Sequence, residues 1–247
     1  LFSLPEKQRL PALLTNSRKV QNQVSTELAE QFLVALAELL RGFQAADAAS
    51  KAQLLHDFRA GSRGYSDVYG GLLSVLLRLV FVLYAEQRGL LPVDHPLYAE
   101  ELGLLSLYAR LRDDAAMHPD TMSERFSAWP RILALFRAVY FGARAGDLVL
   151  PPRRGELFDP AEHPLLEGWG PSGGAPVAEP DRSALRVPTV DDGTVLHVLD
   201  KLLVLGGQRL SYSALDVEQI GSVYERLMGY GVERMDSAAV CLRDPSR

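Results

Sequence analysis

Apolar residues recur at three- and four-residue spacing along most of the chain, the mark of helices that bury one face. Val24, Leu28, Phe32, Ala35, Leu36 and Leu39 trace a helix over residues 20–41, with Gly42 as its stop. A short helix is expected before it at 5–14. After it, residues 50–59 place Leu54, Leu55 and Phe58 on one face, up to the break Gly61-Ser62-Arg63-Gly64. The clearest element starts at Ser66, read as an N-cap, and runs through Val68, Tyr69, Leu72, Leu73, Leu76, Leu79, Val80, Leu83 and Tyr84 to Gly89 and Pro92. Its apolar residues cover most of the circumference, which puts it at the centre of a core. Residues 97–115 and 129–141 give two further helices, the second with Pro130 in its first turn and Gly142 at its end.

The texture then changes. Eight of the fifteen prolines and seven of the twenty glycines fall at 142–188, so no long helix crosses that stretch. An irregular segment is expected there, laid over the helices and pinned by Leu148, Leu150, Leu157, Phe158, Leu165, Leu166 and Trp169, with 171–180 its most mobile part. Helicity returns at Val195, Leu196, Leu199, Leu202 and Leu203, and again over 215–230 behind the capping pattern Ser213-Ala214-Leu215-Asp216. The fold expected is all-α, an irregular multi-helix bundle with a long Pro/Gly-rich loop segment. Four stretches organise it: N-terminal helices at 1–64, a central helical core at 65–142, the irregular segment at 143–190 and C-terminal helices at 191–247.

With 47% apolar and 23% charged residues in 247, the chain has the composition of a folded globular protein. Cys241 stands alone and cannot form an internal bridge, which fits a reducing, cytoplasmic setting. The apolar stretch 72–85 is interrupted by Ser74 and Arg78 and reads as a core helix, so no membrane partner is expected. Leu1 is not a natural initiator, and the start resembles the edge of a longer protein. A net charge of −5 argues against coating nucleic acid by charge alone. Residues 1–91 hold ten Lys/Arg against eight Asp/Glu and the remainder sixteen against twenty-three, so any DNA contact must come from local basic patches. Only Lys7, Lys19, Lys51 and Lys201 are lysines; arginine is the better bidentate phosphate ligand, although a coding bias explains the preference as well.

Catalytic motifs are tested and rejected in turn. Gly168-Trp169-Gly170-Pro171-Ser172-Gly173 has the dinucleotide-binding spacing but neither a strand before it nor a helix after it, and reads as loop. His56, His95, His118, His163 and His197 are scattered singly with one distant cysteine, unlike a metal site. No G-x-S-x-G elbow occurs. A two-metal nuclease sets carboxylates near a lysine on adjacent strands, whereas Asp200-Lys201 lies in a helical pattern. Asp159-Pro160-Ala161-Glu162 lacks the second proline and aromatic platform of an adenine-flipping loop. No catalytic, cofactor-binding or metal residue is nominated.

Three stretches carry more than helix pattern. Residues 76–92 read Leu-Leu-Arg-Leu-Val-Phe-Val-Leu-Tyr-Ala-Glu-Gln-Arg-Gly-Leu-Leu-Pro, residues 155–160 Gly-Glu-Leu-Phe-Asp-Pro, and residues 215–227 Leu-Asp-Val-Glu-Gln-Ile-Gly-Ser-Val-Tyr-Glu-Arg-Leu. In this order they resemble the helical region that precedes the methyltransferase domain of type IIG restriction-modification enzymes and of BREX- and DISARM-type adenine-N6 DNA methylases. The resemblance spans roughly residues 20–235. It implies a phage-defence parent enzyme using S-adenosylmethionine, sometimes fused to a nuclease. This chain ends where the cofactor-binding part should begin, so it carries no cofactor itself. The implied role is a non-catalytic connector that positions flanking domains and contacts double-stranded DNA; the alternative is a structural or protein-interaction module with no nucleic-acid contact.

For the matched residues the structural reading comes first. Tyr84, Glu86 and Arg88 are expected to satisfy one another or a helix end, and Tyr224 to pack on the face of Ile220 and Leu227. DNA contacts are expected from arginines flanking helix breaks: Arg59 and Arg63 around Gly61, and Arg153 and Arg154 between Pro152 and Gly155, with Arg18 and Lys19 behind them. For each one alone, a solvated surface charge is the commoner reading.

Overall fold

In the computed structural model, residues 10–56, 64–168, 186–214, 217–234 and 240–243 are described, and of 10–25 the backbone only. The chain is mostly helical. Helix α1 (Leu10–Ala49) is followed by α2 (Tyr65–Gln87), α3 (Leu104–Met117), α4 (Ala128–Phe141), a single turn α5 (Pro164–Glu167), α6 (Asp192–Leu203) and α7 (Val217–Met228). The strands are short trim on this architecture. Among the described residues they form two-stranded antiparallel ladders: β1 (Ala143–Ala145) with β2 (Leu148–Leu150), β3 (Val204–Leu205) with β4 (Gln208–Arg209), and β5 (Gly231–Arg234) with β6 (Val240–Arg243).

One buried cluster takes residues from every helix longer than a turn. Leu28, Phe32, Leu36, Leu39 and Phe43 of α1 meet Val195, Leu199 and Leu202 of α6, while Leu72, Leu76, Leu79 and Leu83 of α2 fill the centre. Helix 66–87 is apolar and long enough to cross a membrane, yet most of it is buried inside the protein. That burial follows from its near-continuous apolar circumference.

Several boundaries differ from the expected ones. Helix α1 runs straight through Gly42. The glycine lies against the start of α6, where an added Cβ would sit 2.6 Å from Thr194 Cγ2, so it serves close approach rather than termination. The chain leaves α1 at Ser50, whose hydroxyl accepts from the amides of Gln53 and Leu54, and it turns over 50–55 where a helix over 50–59 was expected; residues 57–59 lie outside the described residues. Helix α2 begins at Tyr65 with Gly64 as its N-cap, two residues before the expected cap Ser66. The expected helix at 97–115 is split, with a π-helical turn (Tyr98–Leu102) ending at Gly103 before α3 starts. Residues 143–150 form the β1–β2 hairpin instead of irregular chain. Beyond it Leu148, Leu150, Phe158, Leu165 and Leu166 are buried as the pinning residues expected, and Leu157 is half-buried. Trp169, most of the Gly168–Gly173 motif and the stretch 171–180 lie outside the described residues.

Candidate functional site

The buried ionisable groups come first, because a catalytic centre would draw on them. Glu86, near the end of α2, is 4% exposed and reaches the start of α3: its Oε1 accepts from Leu104 N at 2.7 Å and from Tyr98 Oη at 2.9 Å, and its Oε2 from Leu105 N at 3.1 Å. It thus caps a helix other than its own. Burial pushes its carboxyl above the usual range, against the pull of those three hydrogen bonds. Arg88 does not join it and lies over the Tyr84 ring, 5.3 Å from its centroid.

Asp192 does the same work for α4, accepting from Ala128 N at 2.7 Å and Ser127 Oγ at 2.8 Å. Its neighbour Asp191 caps α6 through Thr194 N at 2.7 Å. Asp200, beside Lys201, accepts from Tyr108 Oη at 2.7 Å within helical surroundings. These carboxylates are committed to the fold.

Arg78 is the one buried cation of α2, 1% exposed. Its guanidinium donates to the carbonyl oxygens of Leu157 at 2.5 Å and Asp159 at 3.1 Å, and it lies 5.5 and 6.0 Å from the ring centroids of Phe136 and Phe158. Burial lowers its pKa, opposed by the charges of Glu167 and Asp159. Around it, Glu167 pairs with Arg137, Tyr140 Oη donates to Asp159 Oδ2 at 2.8 Å, and Phe81 meets Phe158 edge-on. Tyr69, also on α2, donates to the Leu227 carbonyl of α7. Burial, with Tyr230 nearby, pushes the Tyr69 hydroxyl up to about 12. The three stretches 76–92, 155–160 and 217–227 are therefore tied into one unit through α2.

The candidate DNA-contact residues divide sharply. Arg153 and Arg154 are exposed, within a run 151–156 that is exposed throughout. Their backbone amides donate to Val139 O at 3.0 Å and Tyr140 O at 3.2 Å, so the run is hung from the last carbonyls of α4. Two cations there also suit the negative end of the helix dipole. Arg18 and Lys19 lie on the backbone of α1, and nothing is described of their side chains; Arg59 and Arg63 lie outside the described residues. Arg153 and Arg154 thus share one exposed run, while the side chains of Arg18, Lys19, Arg59 and Arg63 lie outside what is described.

No family model, curated protein or solved structure matches this chain.

Beside Arg153 the surface holds a feature that sequence reasoning missed. A depression of about 350 Å³ lies between residues 89–92, beyond the end of α2, and residues 149–151. Its lining is apolar apart from Arg153. It joins parts of the chain far apart, so no local pattern announces it. Tyr224 also departs from expectation: it is exposed, and Val223 and Leu227 form the buried face of α7 instead. Among the described residues no group of three or more His, Cys, Asp or Glu is placed to hold a metal ion.

Proposed function

We propose that this chain is a non-catalytic helical connector of an adenine-N6 DNA methyltransferase or restriction-modification enzyme of phage defence, acting in the cytoplasm. It positions flanking domains and lays Arg153 and Arg154 against the phosphate backbone of double-stranded DNA. The observation that carries this reading is the unit built around α2. Arg78 bonds the first of the stretches that carry the family resemblance to the second, and Tyr69, earlier on the same helix, bonds that helix to Leu227 of the third. A rigid unit of this kind is what a spacer between domains needs. Within the Pro/Gly-rich stretch, the described residues Phe158, Leu165 and Leu166 are buried against the helices.

S-adenosylmethionine belongs to the parent enzyme in this reading. Among the described residues the strands pair only as short antiparallel ladders, and none leads through a Gly-rich turn into a helix that could cradle the cofactor. No chemical step is assigned here.

The test is duplex-DNA binding by the full chain across a salt titration. Arg153→Ala with Arg154→Ala is expected to weaken binding to all sequences alike, and each lost phosphate contact to flatten the slope of log K against log salt by about 0.9. Unchanged affinity and slope would retire the DNA contact and leave a spacer.

A further inference from the structure

Two of the most exposed large aliphatic residues, Leu90 (59%) and Val149 (51%), line the same depression of about 350 Å³. Leu91, Pro92 and Pro151 complete its apolar surface, and Arg153 is its charged member. Hydrogen-bonding capacity in the lining is largely spent or missing. Pro92 and Pro151 have no N–H, Leu90 N donates to Ala85 O, Leu91 O accepts from Val93 N, and Val139 O accepts from Arg153 N. A ligand seated here gains chiefly from burying apolar surface and from meeting positive charge.

The rim supplies that charge. Arg144 is the cross-strand partner of Val149, Arg154 follows Arg153, and Arg88 precedes Gly89 of the lining. Among the described residues no carboxylate lies within ion-pair distance of Arg144, Arg153 or Arg154. The nearest acid of the hairpin, Asp147 at its turn, is held by His95 Nε2 at 3.0 Å.

We propose that this groove docks an acidic peptide segment of a partner protein, with one aliphatic or aromatic side chain against Leu90 and Val149 and carboxylates on Arg144 and Arg153. Charge complementarity selects acid, and the apolar lining selects a peptide over duplex DNA. A phosphodiester backbone needs cations alone and gains nothing from two exposed aliphatic side chains. The surface therefore goes beyond the DNA-contact reading, which uses only the arginines.

The experiment is selection of a random displayed peptide library on the immobilised full chain, followed by anisotropy titration of the enriched peptides. Enriched sequences should combine several Asp or Glu with a single Leu, Ile or Phe. Their affinity should fall by about tenfold or more with Leu90→Ser plus Val149→Thr, and again with Arg144→Glu plus Arg153→Glu. The first pair of substitutions is at exposed positions and removes no charge, so it leaves the fold and the duplex-DNA test unaffected. No enrichment, or enriched peptides indifferent to both pairs, overturns the proposal. Single- or double-stranded oligonucleotides that lose affinity with Leu90→Ser plus Val149→Thr also overturn it and assign the groove to nucleic acid.

Discussion

Arg78 and Arg154 lie on opposite sides of the same short segment, and their fates are opposite. Arg78 is buried, with its guanidinium used by two backbone carbonyls and two aromatic rings, and it holds residues 155–159 onto α2. Arg154, next to Gly155, is exposed, has no carboxylate partner among the described residues, and sits at a backbone φ of 45°. The same side-chain chemistry gives a structural anchor in one place and an available cation in the other. What separates them is whether the N–H groups are satisfied inside the protein.

The sharpest break in this comparison is Arg78→Ala. Removing the guanidinium leaves Leu157 O and Asp159 O without their donor and opens space beside the packed rings of Phe136 and Phe158. The expected cost is about 3–5 kcal/mol, as for breaking a buried charged network. Arg78→Met keeps much of the stacked volume and isolates the unpaired carbonyls, at about 1–3 kcal/mol. Urea denaturation of the two variants checks the order. Equal small losses would mean that the segment is held by its leucine and phenylalanine contacts instead.

A smaller effect concerns His163, which packs beside Gly70 and Gly71 of α2. Burial lowers its pKa below the ordinary 6.5, with Arg78 adding to the shift and Glu162 and Asp67 opposing it. A depressed histidine favours the neutral form when folded. Its contribution is therefore present above about pH 6.5 and is lost as pH falls through its lowered folded value. The melting temperature of the wild type should drop more between pH 7.5 and 5 (values chosen to lie about one unit or more either side of the free imidazole) than that of His163→Gln. Identical slopes would place the histidine in solvent, and the segment around it would be looser than the Arg78 anchor implies.

How much of this was legible depends on how local each cause is. The centre of the core was readable because the apolar pattern of α2 is continuous and Gly89, at φ 65°, ends it as a helix-stop glycine does. Gly42 carries the same residue type and the helix runs through it, because its reason is Thr194, far along the chain. Glu86 was expected to satisfy its neighbours or the end of its own helix, and it caps the start of α3 instead. Gln87 accepts from Ser213 N at 3.1 Å, a link between distant parts of the chain. The exposure of Arg153 and Arg154 could be read because prolines and a glycine around them break the helix pattern, while the left-handed backbone at Arg154 could not. The groove could not, since its two walls meet only after folding, and the sequence offers no period that would pair residues 89–92 with 149–151.

The smallest effect is the most discriminating for the exposed side of the comparison. Arg154 holds a left-handed backbone conformation, which costs a non-glycine residue about 1–2 kcal/mol. Glycine would relieve that strain but add about 0.5–1 kcal/mol of backbone entropy to be lost on folding. The amide that donates to Tyr140 O at 3.2 Å is retained by the substitution, and no side-chain hydrogen bond is removed. Arg154→Gly is therefore expected to lie between no change and a gain of about 1 kcal/mol in denaturant stability. It should also weaken binding of any anionic partner, because one exposed guanidinium is gone. A stability loss above about 1 kcal/mol would show that the Arg154 side chain props the run 151–156, as Arg78 props the segment beneath it. A neutral stability with weakened binding would mean that a strained position is occupied by arginine for what its side chain meets outside the protein.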